Sequence, residues 1–169
     1  MLTAACGAPP ADAPRASAPP TPIVSAAPAA TQPAAVPAPA RRRHDLAVDE
    51  RRGGHTLARH IGRSDEQLRE RLRLEPNISA ASTYTDRETA ERVIASAMDE
   101  SAVELGEWQR RTGRRPNLVL DRDEPAPVGR SLRRGQRQPA DCAHAVVVLR
   151  WDERAATDYV VTSYPECRR

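Results

Sequence analysis

Proton transfer near neutral pH falls to four side chains in this sequence, His44, His55, His60 and His144, because the chain contains no lysine and imidazole has the ordinary pKa suited to that work. Two of the four share one segment, Gly53-Gly54-His55-Thr56-Leu57-Ala58-Arg59-His60-Ile61-Gly62. Its flanking glycines permit unusual backbone or close approach of a ligand, so the segment reads as a glycine-flanked turn. By itself such a pair is more often structural than catalytic. His144, inside an apolar run, reads as a satisfied core or edge residue, and His44, next to Arg43, as a solvated one. Arg71 follows His60 by eleven residues. It is either a solvated helix-face residue, as Arg69 and Arg73 partly must be, or turned inward to hold an oxyanion or phosphate in its fork of donors. Thr162 and Tyr164 in Thr162-Ser163-Tyr164-Pro165 share one face of a strand, so their hydroxyls point together.

These residues need elements to position them. Residues 41–52 read as a short helix stopped by Gly53-Gly54. Ser64 with Gln67 forms a capping box for a second helix, which carries Leu68 and Leu72 on one face and ends at Pro76. Thr85 with Glu88 reads as another capping box, opening a longer helix. Its apolar stripe runs through Ala90, Val93, Ile94, Ala97, Met98, Leu105 and Trp108, with Gly106 as a possible break and Gly113 as the end. The period then changes. Asn117–Leu120 and Val128–Leu132 are short strand candidates, His144–Trp151 is a central strand, and Tyr159–Tyr164 is its neighbour. Helices first and strands second, without alternation, give an α+β domain with an antiparallel sheet.

Composition divides the chain. Residues 1–40 hold 15 Ala and 10 of the 16 Pro, with only Asp12 and Arg15 charged. Such a segment cannot bury a core and favours extended backbone, so 1–40 reads as a disordered, dispensable tether and 41–169 as the folded domain. Leu2-Thr3-Ala4-Ala5-Cys6 reads like the end of a bacterial lipoprotein signal. The basic and apolar regions of such a signal do not precede it, which makes Cys6 a candidate lipid anchor only if the natural start lies upstream. No run of about 18 apolar residues occurs, so nothing in the chain reads as a membrane span. The other cysteines, Cys142 and Cys167, leave one possible bridge, although a lone pair is more often two idle thiols. No CxxC, HxxxH or HExxH pattern offers a zinc site.

The ordered blocks GGHTLARHIG, LRERL, ASTYTDRETAERV, PVGRSLRRG, AVVVLR and VVTSYP together resemble the bacterial ribonuclease-A-like toxin domain. That domain occurs at the C-termini of CdiA contact-dependent inhibition proteins and as separate secreted proteins. The resemblance runs from Glu50 to Pro165, and GGHxxxxH with a terminal TSYP is its specific part. It implies an α+β, ribonuclease-A-like fold without that enzyme's disulfides. It also implies RNA cleavage without a metal or cofactor, toxicity to neighbouring bacteria, and a small immunity protein that blocks the site. Onto this sequence it maps His60, by its spacing to Arg71, with Arg71 itself, Thr162 and Tyr164, and it leaves His55 as partner or substitute of His60. With no lysine to stand at the phosphate, Arg71 takes that role.

The expected chemistry is a base taking the 2′-OH proton and an acid returning one to the 5′ oxygen, with Arg71 stabilising charge on the phosphate. Thr162 can bond a base edge or phosphate, and Tyr164 can stack or donate. Arg130 and Arg133 are the candidate substrate-binding residues. They are supported by Arg110, Arg111, Arg114, Arg115, Arg134 and Arg137, though a net charge of +3 is modest for a nucleic-acid enzyme. The expectation is thus a monomeric ribonuclease toxin acting on RNA, tRNA being one candidate, exported or surface-held and active in the cytoplasm of a target cell. The alternative is a non-enzymatic surface lipoprotein with a protein-binding α+β domain.

Overall fold

A computed structural model describes residues 44–168; the expectations for the tether and for Cys6 lie outside them. The elements run α1 (Leu46–Arg51), α2 (Thr56–His60), α3 (Asp65–Leu74), β1 (Ala80–Tyr84), α4 (Arg87–Glu100), α5 (Ala102–Gln109), β2 (Leu118–Asp123), β3 (Gly129–Arg133), β4 (Ala140–Cys142), β5 (His144–Asp152) and β6 (Thr157–Glu166). The α+β reading holds, with strands that pair antiparallel. Instead of one sheet there are two, each three-stranded, ordered β1-β3-β4 and β2-β5-β6.

Each sheet has its own helix. On α3, Leu68 and Leu72 bury against Ala81 of β1 and Leu132 of β3. On α4, Ala90, Val93, Ile94 and Ala97 join Leu120, Val147, Leu149 and Val160 in the larger core. The strand β6 also packs across β1 and β3, so the two sheets share a seam. Gly129 sits on that seam. A Cβ there would stand 2.2 Å from the Thr83 carbonyl and 2.6 Å from the Pro165 ring, so only glycine lets the sheets approach.

Several expectations need correction. The α3 capping box is formed by Ser64 and Gln67 as expected, but α4 is capped by Asp86, which accepts from Thr89 N at 2.7 Å. Thr85 instead donates to the Val128 carbonyl. The expected long helix breaks at Ser101 and not at Gly106, which lies within α5. Asp99 and Glu100 close α4 with negative charge where the helix dipole favours positive, and Glu100 turns to Arg122. His44 is not solvated: its Nε2 meets Asp49 Oδ2 at 2.5 Å. Asp49 is buried and accepts from Val160 N at 3.0 Å, which ties α1 to β6. Finally, Cys142 and Cys167 are bridged, not idle. The bridge joins the end of β4, in one sheet, to the chain leaving β6, in the other.

Candidate active site

The turn expected at Gly53–Gly62 contains a short helix, α2, and Gly54 explains why it sits where it does. A Cβ on Gly54 would lie 2.5 Å from the Val160 carbonyl and 3.0 Å from the Asp49 carbonyl carbon, so the glycine lets the chain press onto β6. Directly after it, His55 N donates to Val161 O at 2.9 Å. Val161 is a bulge residue. Val148 pairs with Thr162 and Leu149 with Val160, leaving Val161 without a partner opposite. Ser163 N donates to Thr56 Oγ1 at 2.9 Å, and Gly62 N to Tyr84 O at 3.3 Å, so α2 is fastened between β6 and β1.

These fastenings bury His60, the last residue of α2, at 6% exposure. Its Nδ1 lies 3.1 Å from the Ser82 carbonyl. A carbonyl only accepts, so the neutral ring carries its proton on Nδ1 and keeps a lone pair on Nε2. Burial, reinforced by the Arg71 charge, lowers the His60 pKa to about 3. The ring stands 5.5 Å from that of Tyr164 and 6.4 Å from that of His55, centroid to centroid. His55 is less buried, and its pKa is lowered first by burial and then by Arg59. Burial, followed by Glu166 and Asp121, raises the Tyr164 phenol, which therefore keeps its proton at neutral pH.

One cavity of about 380 Å³ gathers His55, His60, Arg71, Thr162 and Tyr164, with Ser82 among the residues of its wall. Arg71 reaches it from α3, and its Nε donates to Glu75 Oε1 at 3.3 Å. Arg71 Nη1 and Thr162 Oγ1 are both buried with no protein partner. Buried polar atoms nearly always have partners. Both residues line the cavity that holds the neutral His60, and a guanidinium N–H and a hydroxyl so left over suit the acceptor oxygens of an anionic ligand.

A family model described as the bacterial CdiA-CT RNase A domain matches residues 54–165, a span containing all five side chains. The chain belongs to the bacterial CdiA-CT RNase A domain family. Membership makes it a ribonuclease-type toxin domain of contact-dependent inhibition. It is also similar to a chain in the crystal structure of a CdiA-CT/CdiI complex from Y. kristensenii 33638. That match has 27% identity and a TM-score of 0.60, and covers 67% of this chain and 99% of the other. No curated protein matches the chain.

Within this CdiA-CT RNase A domain the two candidate binding arginines lie apart from the five. Ser131 of β3 faces the histidine cavity, and its strand neighbour Arg130 faces the opposite side. There it pairs with Asp65 at 3.0 Å, donates to Arg63 O, and lines a second cavity of about 440 Å³. Arg133 donates to Cys167 O at 3.1 Å, which holds down the end of β6. Arg134 binds main-chain carbonyls, and Arg115 lies over the Trp151 ring at 3.8 Å. His144 is buried on the central strand β5 with Asp121 and Asp123 as its partners, satisfied as expected, though at no sheet edge. Sequence reasoning missed the Ser82 carbonyl, Ser131, Asn77 and Glu166. The wall Ser82 belongs to, Ala80-Ala81-Ser82-Thr83-Tyr84, shows no apolar alternation by which a strand announces itself.

Proposed function

We propose that this chain is an endoribonuclease that cleaves RNA by acid–base transphosphorylation, without a metal ion, in competition between bacteria. The observation that carries this reading is one cavity lined by a buried, neutral His60 and by Arg71 and Thr162, each of which keeps a buried donor without a partner. His60 Nε2 takes the proton of the ribose 2′-OH, and the oxygen attacks phosphorus in line. Arg71 and Thr162 donate to the phosphate oxygens, and Arg71 stabilises the charge that develops there. His55, on the same cavity, returns a proton to the departing 5′ oxygen. Tyr164, held protonated, donates a hydrogen bond or stacks on a base.

The family match, and the likeness to a toxin crystallised with CdiI, support delivery into a target cell and a cognate immunity protein. They favour the enzyme over a non-enzymatic binding domain. Arginine-rich surfaces outside the cavity, Arg110, Arg111 and Arg114 among them, are exposed and suit an acidic partner or an RNA backbone. Incubating the full chain with total tRNA in EDTA tests the reading. Fragments ending in a 2′,3′-cyclic or 3′ phosphate are expected. Intact RNA, or cleavage that needs added metal, would contradict it.

A further inference from the structure

Glu75 breaks two local rules and has one consequence. It caps the C-terminus of α3, where the helix dipole disfavours an acid. It also follows Arg71 at i+4, the weaker order for such a pair. The side chains are 20% and 37% exposed, and pairs in that range contribute little to stability. What the contact does is fix a direction. The guanidinium is a rigid planar fork, so engaging Nε at Glu75 fixes the orientation of the whole group, including Nη1, which is buried without a protein partner on a residue that lines the histidine cavity.

Glu75 is itself held. Its N–H donates to Arg71 O at 2.9 Å, and Arg134, just beyond β3, donates Nη2 to Leu72 O at 2.7 Å and to Glu75 O at 2.9 Å. Arg134 also gives Nε to Ile78 O at 3.2 Å and its backbone N–H to Ser79 O at 2.8 Å. The helix end is thereby anchored to the sheet that carries Ser82 and Ser131, and the anchored loop supplies Asn77, Ile78 and Ser79 to the cavity wall.

We infer that Glu75 is a positioning residue for phosphodiester binding: by accepting from Arg71 Nε it sets which edge of the guanidinium meets the substrate. This rests on the cavity being the RNA site. The test is a double-mutant cycle in the full chain, with Arg71→Ala, Glu75→Leu and both together. It reads kcat/KM on RNA and affinity for a 2′-deoxyoligonucleotide, which offers phosphodiesters but no attacking hydroxyl. Glu75→Leu is expected to lose about tenfold in both readouts, since small misplacements of a positioning group are costly. Glu75→Gln, which keeps an accepting oxygen for Nε, is expected to stay within about threefold.

The double variant is expected to bind no worse than Arg71→Ala alone. Native values in Glu75→Leu, or independent losses that simply multiply, would overturn the inference. Glu75→Ala replaces Glu75→Leu if the latter fails to fold. If Arg71→Ala itself cleaves and binds normally, it is the reading of the cavity that fails. If Arg71→Ala is impaired while Glu75→Leu is not, only the role of Glu75 is lost.

Discussion

His60 gathers in one residue what this site needs from burial. Its ring is neutral at pH 7, with the Nε2 lone pair unprotonated, because charging it inside the fold is opposed by desolvation and by Arg71. The same feature couples stability to pH. Below pH 6.5 the imidazole of the unfolded chain takes up a proton that the folded residue refuses until about pH 3. The unfolded state then binds more protons, so stability contributed by His60 is intact above that window and is lost as pH falls through it. Urea unfolding of wild type and His60→Gln at pH 7 and pH 4.5 measures this. The wild type is expected to lose about 2 kcal/mol more than the variant over that interval; equal losses would show that His60 is not the group responsible. Side-chain types at this scale were legible: the two histidines, Arg71, Thr162 and Tyr164 could be named from type, order and family pattern. Glu75 and the Ser82 carbonyl could not. An acid ending a helix looks like any solvated charge, and a main-chain carbonyl has no sequence signature at all.

Among the elements, α2 and β6 decide the geometry of the cavity. The bulge at Val161 offers its carbonyl to His55 N, and Gly54 permits the contact by bringing the chain against the Val160 carbonyl. Gly54→Ala would force a methyl group 2.5 Å from a main-chain oxygen, which cannot swing aside as a flexible side chain would. The variant is expected to lose about 1–3 kcal/mol of stability by denaturant unfolding. Its folded fraction should cleave more slowly than wild type, because α2 carries His60 and is capped by His55. Unchanged stability and rate would contradict the role given to this contact. The strongly periodic elements, α3, α4, β5 and β6, were visible in the sequence. The bulge was not, since Thr162 and Tyr164 share a face with or without it. Nor was β1, whose small polar residues are buried by β6 packing across it rather than by any apolar pattern of their own. The α2 segment is five residues long, too short for periodicity to separate it from a turn.

For the molecule as a whole, the cavity lies where two sheets meet, with Ser82 and Ser131 from one and Thr162 and Tyr164 from the other. The Cys142–Cys167 bridge ties those sheets together close to Pro165 and Glu166 of the cavity wall. Closing a loop over a separation of 25 residues restricts the unfolded chain by about 3–4 kcal/mol in the loop-entropy account. Reducing the protein, or replacing both cysteines by alanine, is expected to lower its urea midpoint accordingly. An unchanged midpoint would mean that the bridge adds nothing to the fold. Spacing alone could not separate bridged from idle thiols, because pairing depends on β4 and the end of β6 being brought together by a topology of two sheets. That division was equally hidden, for each strand reads the same in one sheet or two.

The central claim is that His60 performs the proton transfer, and single-turnover cleavage of RNA in EDTA by wild type, His60→Ala and His55→Ala of the full chain tests it most directly. With folding of each variant verified, His60→Ala is expected to cleave about 10²–10⁴-fold more slowly than wild type, the scale of one acid–base group. A native rate in folded His60→Ala, with His55→Ala inactive, would contradict the account and move the base to His55.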